Sequence, residues 1–179
     1  MNNTNKPWNK EKSSHNIDEN YSRPNLPANN ADHQSYSGNE LTKILFLSKR
    51  GMSRSPLARE MMRTLLEGTQ LFGRVRTSSR GVTEAYDQCP IDARMSKFST
   101  KLGYFLQGFS RFATIPDLAS ADIIITLDHE SEEFVNLHKS FIRGISRPLG
   151  IFFSPGSDPY IQDPYERGED EDVDDHYDE

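Results

Sequence analysis

The chain has 179 residues, a net charge of −6 at pH 7 and a single cysteine, Cys89. One cysteine excludes an intramolecular disulfide framework and a cysteine-based zinc site, and no stretch approaches the roughly 20 apolar residues that span a bilayer. Because the first residues resemble neither a signal peptide nor a transit peptide, we expect a cytoplasmic protein with one ordinary domain.

Both ends of the chain differ in composition from its middle. Residues 1–40 are rich in Asn, Ser, Pro and charge, with few aliphatic side chains to offset the entropy of ordering, which predicts a disordered tail. Residues 166–179 hold nine acidic residues and one arginine, a charge of −8, which leaves +2 for the remainder. We predict a folded domain over 41–168 and an acidic disordered tail over 169–179, which either solubilises the protein or covers a basic loop.

The first predicted elements are a strand and a helix. The apolar run in residues 43–47 indicates a strand buried on both faces, as in a parallel sheet. Ser55 suits the N-cap of a helix, Pro56 its first position, and Gly68 can end it. Apolar side chains recur every four residues in two adjacent rows and predict one buried helix face: Leu57, Met61 and Leu65, then Ala58, Met62 and Leu66.

Strands and helices alternate through the rest of the middle region. We predict strands over 74–78, 121–127 and 148–153, and helices over 90–103 and 130–140. Three successive isoleucines in 121–127 indicate a central strand that is fully buried. The alternation predicts an α/β domain with parallel strands and right-handed crossovers, whose ligands bind beyond the carboxyl ends of the strands.

The loop between the first strand and the first helix has the features of a phosphate site. Five residues separate Ser48 from Arg54, enough for successive backbone N–H groups to turn inward as an anion-binding nest at the positive end of a helix dipole. Gly51 permits the left-handed backbone that such a curl needs. Arg54 can offer two parallel N–H donors to one phosphate group, and Lys49 and Arg50 add positive potential.

The sequence "ILFLSKRGMSRSPLARE" (44–60) resembles the opening of the low-molecular-weight protein tyrosine phosphatases: an apolar strand, a cysteine, five residues, and Arg-Ser-Pro opening a helix. Four further segments of this sequence resemble later blocks of that family, in the correct order: "TSSRGV" (77–82), "PIDARMSKFSTKLG" (90–103), "ADIIITLDHESEEFVNL" (121–137) and "IQDPYERG" (161–168). The resemblance implies a three-layer α/β/α fold with a four-stranded parallel sheet, and activity on phosphotyrosine.

The resemblance also implies roles for individual residues. Arg54 matches the arginine that clamps the phosphate, and Ser55 the serine that braces the loop. Asp163 matches the acid that protonates the leaving oxygen, and Tyr165 an aromatic wall beside the entering ring. A second Asp-Pro-Tyr leaves Asp158 as the alternative acid, although the residues after Asp163 continue the family pattern better. The phosphate-binding loop would comprise Ser48, Lys49, Arg50, Gly51, Met52, Ser53, Arg54 and Ser55.

The sequence departs from the family most sharply at the nucleophile. Ser48 stands where the family has its cysteine, Ser53 replaces a second frequent cysteine, and residues 50–51 are Arg-Gly instead of Gly-Asn. A ring of N–H donors lowers a thiol pKa from about 8.5 into the ionised range, but a serine hydroxyl starts far higher and needs an adjacent base. No histidine lies in the loop. The acidic tail also stands in place of the family's closing amphipathic helix.

We therefore expect a domain that binds phosphotyrosine or another phosphate monoester with little or no turnover. Two alternatives stay open: an active tyrosine phosphatase with an atypical nucleophile, and a non-catalytic interaction module with a vestigial pocket. Ser53 and the changed residues 50–51 argue against a deliberate cysteine-to-serine replacement at Ser48. Arsenate reduction needs relay cysteines, and Cys89 is alone. We expect no metal or cofactor, since the five histidines are scattered.

The expected partner is a phosphotyrosine protein or a small phosphate monoester, and neither nucleic acid nor a membrane is expected. The middle of the chain is only slightly basic and lacks interleaved aromatic and basic residues. Phe105, Phe109 and Phe112 lie three to four residues apart, which predicts a helical core face or a flap over the pocket.

Overall fold

A four-stranded parallel sheet forms the centre of the structure, a computed structural model that describes residues 41–154 and 156–164. The strands, in the order β2-β1-β3-β4, are β1 (Thr42–Ser48), β2 (Val75–Gly81), β3 (Ile123–Thr126) and β4 (Ile145–Pro148). The helices are α1 (Arg54–Glu67), α2 (Ala93–Lys101), α3 (Ile115–Ser120) and α4 (His129–Leu137). Short 3-10 turns cover Glu84–Tyr86, Lys139–Phe141 and Leu149–Phe152.

Helices cover both faces of the sheet because the central strands are apolar on both faces. Leu45 and Ile124 pack on one face with Leu118 of α3 and Val135 of α4. On the other face, Phe46 packs with side chains of α1. The predicted three-layer α/β/α fold with four parallel strands is confirmed.

Two predicted elements differ from the structure in their limits. The fourth strand was expected over 148–153, but β4 ends at Pro148 and Leu149–Phe152 forms a 3-10 turn. Exposed Ile151 and Phe152 produce an apolar run that resembles a buried strand in sequence only. The helix α3 was not predicted, since its six residues are too short for a periodic pattern; a capping box between Thr114 and Asp117 stabilises its start.

Helix α1 begins earlier, and buries a narrower face, than the sequence indicated. Ser53 occupies the N-cap position that was predicted for Ser55, so Arg54 is the first helical residue. The side chain of Leu66 is buried, whereas Met61 is 38% and Leu65 65% exposed. The helix packs on β1 and β2, and the row that contains Met61 and Leu65 points away from them.

The helical core face, one of two predictions for the three phenylalanines, was wrong for two of them, and the alternative, a flap over the pocket, stays a prediction. No helix forms around Phe105 and Phe109, and both side chains are 64% exposed. Phe112 packs edge-on against Phe134 of α4, with ring centroids 5.8 Å apart. The exposed pair lies on the segment that follows α2.

Some predictions concern parts of the chain outside the described residues. They are the tails over 1–40 and 169–179, the domain boundary at 168 and the aromatic wall at Tyr165, and all of them stay predictions. None of the helices within 41–154 and 156–164 combines the length and the apolar composition needed to cross a bilayer.

Substitution of Leu118 by alanine tests the packing of α3, the helix that the sequence did not reveal. Leu118 is fully buried in the larger core cluster, so we expect a loss of about 2–5 kcal/mol in the free energy of unfolding, measured by urea denaturation. Leu137→Ala is the matched control: its side chain is 75% exposed, and a change within about 0.5 kcal/mol is expected. Equal losses in the two variants would contradict this packing.

Candidate functional site

The loop from Ser48 to Arg54 lies at the carboxyl edge of the sheet, where the sequence placed it. Ser48 ends β1 and Arg54 begins α1, so the loop joins a central strand directly to a helix N-terminus. The end of β3 leads to Asp128 at the same edge. Ligand sites of open parallel sheets lie at such edges.

Two glycines allow the loop to lie against the end of β2. Gly51 has φ +71°, the left-handed conformation that the sequence predicted. A Cβ on Gly51 would lie 2.5 Å from the nitrogen of Gly81, and a Cβ on Gly81 would lie 2.6 Å from the carbonyl oxygen of Arg50. The Thr83 N–H donates to the carbonyl of Lys49 at 3.0 Å. The curl of the loop therefore depends on a backbone-to-backbone contact that no larger residue permits.

The hydroxyl of Ser48 lies buried at the base of the loop. Its Oγ is 2.8 Å from the Oγ of Ser55 and accepts a hydrogen bond from the Gly51 N–H at 3.3 Å. Ser55 donates its own proton to the carbonyl of Arg80 at 3.3 Å. Either hydroxyl can donate in the Ser48–Ser55 hydrogen bond, and neither partner of Ser48 Oγ is a base. The bracing role of Ser55 stays a prediction.

Arg54 lies at the centre of a buried ion cluster. Its Nη2 is 2.8 Å from Asp128 Oδ2 and 3.0 Å from Asp163 Oδ2, and its Nη1 donates to the carbonyl of Ile161 at 2.6 Å. The arginine is 8% exposed and both carboxylates are similarly buried. With both carboxylates ionised, this cluster carries a net charge of −1. The guanidinium that the sequence assigned to phosphate thus already has protein acceptors.

Asp128 is a site residue that the sequence reasoning missed. Its Oδ1 accepts the Ser131 N–H at 2.9 Å and caps α4, while its Oδ2 accepts the Lys49 N–H at 2.8 Å in addition to contacting Arg54. One carboxylate thus connects α4, the loop and α1. The available signal was its place as the first acidic residue after the most apolar strand.

The structure brings Asp163, and not Asp158, to Arg54. The Ile161 N–H donates to the carbonyl of Leu127 at 2.8 Å and fixes the segment before Asp163 to the end of β3. Asp158 instead accepts the N–H of Tyr160 at 2.9 Å. Of the two Asp-Pro-Tyr segments, the second therefore supplies the carboxylate at the site.

Tyr160, from the first Asp-Pro-Tyr segment, lies against α4. Its hydroxyl donates to the carboxylate of Glu132, and this hydrogen bond raises the pKa of Tyr160 to about 12. Its ring packs edge-on against His129 of α4, with centroids 5.9 Å apart. Tyr160 therefore supports the segment that carries Asp163, and the predicted wall at Tyr165 lies outside the described residues.

The other loop cations are also engaged. The Nζ of Lys49 is 2.7 Å from a carboxylate oxygen of Glu130, and this hydrogen bond lowers the pKa of Glu130. The guanidinium of Arg50 lies over the ring of Tyr86, 5.4 Å from its centroid. Tyr86 is an aromatic neighbour of the loop that the sequence analysis did not identify. The positive potential of the loop is accordingly weaker than its composition suggested.

The donors of this edge suit a phosphoryl anion better than a metal ion. Within the described part of the chain, no group of three or more His, Cys, Asp or Glu side chains could hold a metal. Arg54 begins a helix of 14 residues, whose dipole adds positive charge at the loop. The arrangement can receive an anion if Arg54 exchanges one carboxylate for it.

Comparison with known sequences identifies one family. The family model described as low molecular weight phosphotyrosine protein phosphatase matches residues 43–178. No curated protein is significantly similar to the chain.

Solved structures share this fold at low sequence identity. YfkJ from Bacillus subtilis is 21% identical, with a TM-score of 0.66 over 72% of this chain and 82% of its own. A protein tyrosine phosphatase from Entamoeba histolytica, solved with Hepes in its active site, is 22% identical, with a TM-score of 0.64 over 71% and 82%. A structure of the arginine phosphatase YwlE, a cysteine-to-serine mutant with a phosphorylated active site serine, is 19% identical, with a TM-score of 0.59 over 74% and 82%.

Substitution of Gly81 by alanine tests the contact that shapes the loop. Because the new methyl group would collide with the backbone of Arg50, we expect a loss of about 1–3 kcal/mol in the free energy of unfolding, measured by urea denaturation. Gly68→Ala is the matched control, since a Cβ there meets nothing within 4 Å and φ is −87°. A Gly81→Ala protein as stable as this control would show that the two backbones are not in contact.

Proposed function

Since this chain belongs to the low-molecular-weight phosphotyrosine protein phosphatase family, we propose that its loop binds phosphotyrosine or another phosphate monoester with little or no turnover. The family predicted from the sequence is confirmed by the match over residues 43–178. In this proposal Arg54 clamps the phosphoryl group, residues 48–55 surround it, Asp163 faces the leaving oxygen and Tyr165 lies beside the ring.

The contacts of Ser48 carry the proposal. Among the described residues, its Oγ has hydrogen bonds only to Ser55 and to the N–H of Gly51, and neither group can remove its proton. A serine nucleophile needs such a base, whereas a thiol in a ring of N–H donors ionises without one. Loss of an effective nucleophile lowers rates by several orders of magnitude, but leaves the anion-binding groups in place. A neutral hydroxyl also does not repel a dianion, as a thiolate would.

The ion cluster adds a condition for binding. A phosphoryl dianion near Arg54 would face two buried carboxylates, and like charges at this distance repel strongly in a low-dielectric environment. Asp128 has further bonds to α4 and to the loop backbone, so it stays. In this proposal Asp163 is the carboxylate that makes way for the phosphoryl group and faces the leaving oxygen of a substrate.

A second candidate function is slow phosphoryl transfer that stops at Ser48. The phosphorylated active site serine described for the YwlE mutant supports it. The Ser48 Oγ–P bond would form while the ester P–O bond breaks. Asp163 would donate one proton to the leaving oxygen, and the hydroxyl proton of Ser48 would pass to a non-bridging phosphoryl oxygen. A serine alkoxide is a poorer leaving group than a cysteine thiolate, so the phosphorylated protein would accumulate.

Binding of inorganic phosphate should raise the melting temperature of the wild-type protein, since a ligand of the native state stabilises it. We expect Arg54→Ala to weaken phosphate binding about ten- to a hundredfold, because a charge-assisted hydrogen-bond pair is lost. We expect Asp163→Asn to strengthen it several-fold, because a competing carboxylate is removed. Both effects can be measured as dissociation constants from thermal-shift titrations, each referred to the variant's own unfolding curve without phosphate.

Potassium chloride at matched ionic strength is the control for that titration. If phosphate stabilises the wild type no more than chloride does, the pocket is vestigial and the proposal is wrong. If Asp163→Asn binds phosphate more weakly than the wild type, the two anions do not compete for Arg54.

The variant Ser48→Cys should hydrolyse an aryl phosphate at least about a thousandfold faster than the wild type, because the loop can ionise a thiol but not a hydroxyl. Steady-state release of the phenol measures this ratio, with Ser48→Ala as the control for background hydrolysis. Mass spectrometry of the wild-type protein after the same incubation tests the second candidate, which requires one added phosphoryl group on Ser48. Wild-type turnover equal to that of Ser48→Cys would support an active enzyme with an atypical nucleophile instead.

A further inference from the structure

An open groove lies between α2 and the segment 104–109, outside the loop described above. Its volume is about 760 Å³. Two backbone hydrogen bonds hold the segment beside the helix. The Tyr104 N–H donates to the carbonyl of Ser99 at 2.8 Å, and the Ile91 N–H donates to the carbonyl of Gly108 at 3.3 Å. The residues that form its walls include Pro90, Ile91, Lys97, Lys101, Leu106 and Gly108.

The groove is apolar along its floor and at its edges. Leu106 is buried beneath it, and the side chain of Ile91 lines it. Leu102, Phe105 and Phe109, each adjacent in sequence to a lining residue, are 55%, 64% and 64% exposed. Exposed apolar surface of this extent commonly marks a site of protein association.

Two lysines give the groove a single sign of charge. Lys97 and Lys101 are four residues apart on α2 and therefore lie on the same helix face. In residues 41–154 and 156–164 neither lysine has an ion-pair partner, and none of the lining side chains described is acidic. This differs from the loop, where Lys49 is paired with Glu130 and Arg54 with two aspartates. The groove is complementary to a segment that combines carboxylates with apolar side chains.

The groove begins beside the phosphate-binding loop. Asp92, which caps α2, donates its N–H to the carbonyl of Met52 in the loop at 3.0 Å. Pro90 and Ile91, which precede Asp92, line the groove. From there α2 runs for nine residues, about 13 Å, which is the length of about four residues of extended peptide.

We propose that this groove binds the acidic, apolar-containing flank of a phosphotyrosine protein whose phosphorylated side chain occupies the loop. The flank would place carboxylates near Lys97 and Lys101 and an apolar side chain against Ile91 and Leu106. The proposal rests on the proposed function for its anchor in the loop. It adds the partner class: a protein segment, recognised over several residues, in preference to a small phosphate monoester.

Four synthetic peptides test the proposal on the full-length protein. Each has a central tyrosine, phosphorylated or not, flanked on both sides by alternating leucine with either glutamate or glutamine. Dissociation constants come from fluorescence anisotropy. We expect the glutamate phosphopeptide to bind about fivefold more tightly than the glutamine phosphopeptide, because it can form two exposed ion pairs with Lys97 and Lys101. This difference in affinity should shrink at high salt, which screens exposed charges.

Charge-reversal variants assign that advantage to the groove. Lys97→Glu combined with Lys101→Glu should abolish or invert the preference for glutamate. Lys139→Glu combined with Arg143→Glu changes the net charge equally, at exposed residues of the segment after α4, and should leave the preference intact. If the preference survives reversal of Lys97 and Lys101, or is absent from the wild type, the groove is not the site and the proposal is overturned. The proposal is overturned in the same way if the chain's own acidic residues 166–179 occupy the groove and exclude the peptide.

The peptide set separates this inference from the proposed function. If phosphorylation of the tyrosine adds nothing to peptide affinity, and Arg54→Ala binds the peptides as tightly as the wild type, the loop is not a phosphate site. The difference in affinity between glutamate and glutamine peptides then still tests the groove. Tight binding of both phosphopeptides with equal affinity, lost in Arg54→Ala, supports the loop and refutes the groove.

Discussion

The contact of Arg54 with two aspartates organises the functional edge of this protein. One buried guanidinium connects the start of α1 to Asp128 at the start of α4 and to Asp163 in the last described segment. Removing one partner of a buried ion pair typically costs about 3–5 kcal/mol, because the remaining charge is left uncompensated. The loop, the end of β3 and the segment around Ile161 are therefore held in one arrangement, and the geometry of the loop cannot change independently of the acid segment.

This constraint gives recognition and chemistry different requirements. To bind a phosphoryl group, Arg54 has to exchange one anion for another, and Asp128 is also bonded to α4 and to the loop backbone. To cleave a phosphate ester, the site also needs a nucleophile that ionises, and the hydroxyl of Ser48 is bonded to Ser55 instead of to a base. In the proposed function, the first requirement depends on Arg54 and the loop, whereas the second depends on one atom, sulfur or oxygen.

Local signals were sufficient for the loop and for the central strands. An apolar run predicts a strand buried on both faces, and a glycine in a tight curl predicts the positive φ observed at Gly51. Asp128 was missed because its role comes from three elements that meet only in the folded chain. The helical core face predicted for Phe105 and Phe109 was wrong because a spacing of three to four residues indicates a helix face only where a helix forms. The roles of the individual site residues are proposals.

The sequence by itself determined the α/β class, the family, the position of the loop and the serine at position 48, because each depends on residue identity or on short-range periodicity. Tertiary structure alone decided which of two aspartates reaches Arg54 and that this arginine and Lys49 already have acidic partners. It also decided that α2 carries two lysines with no ion-pair partner among the described residues, beside an apolar groove. The physical reason is that charge pairing depends on distances between residues up to 109 positions apart, and those distances are set by packing of the sheet and its helices.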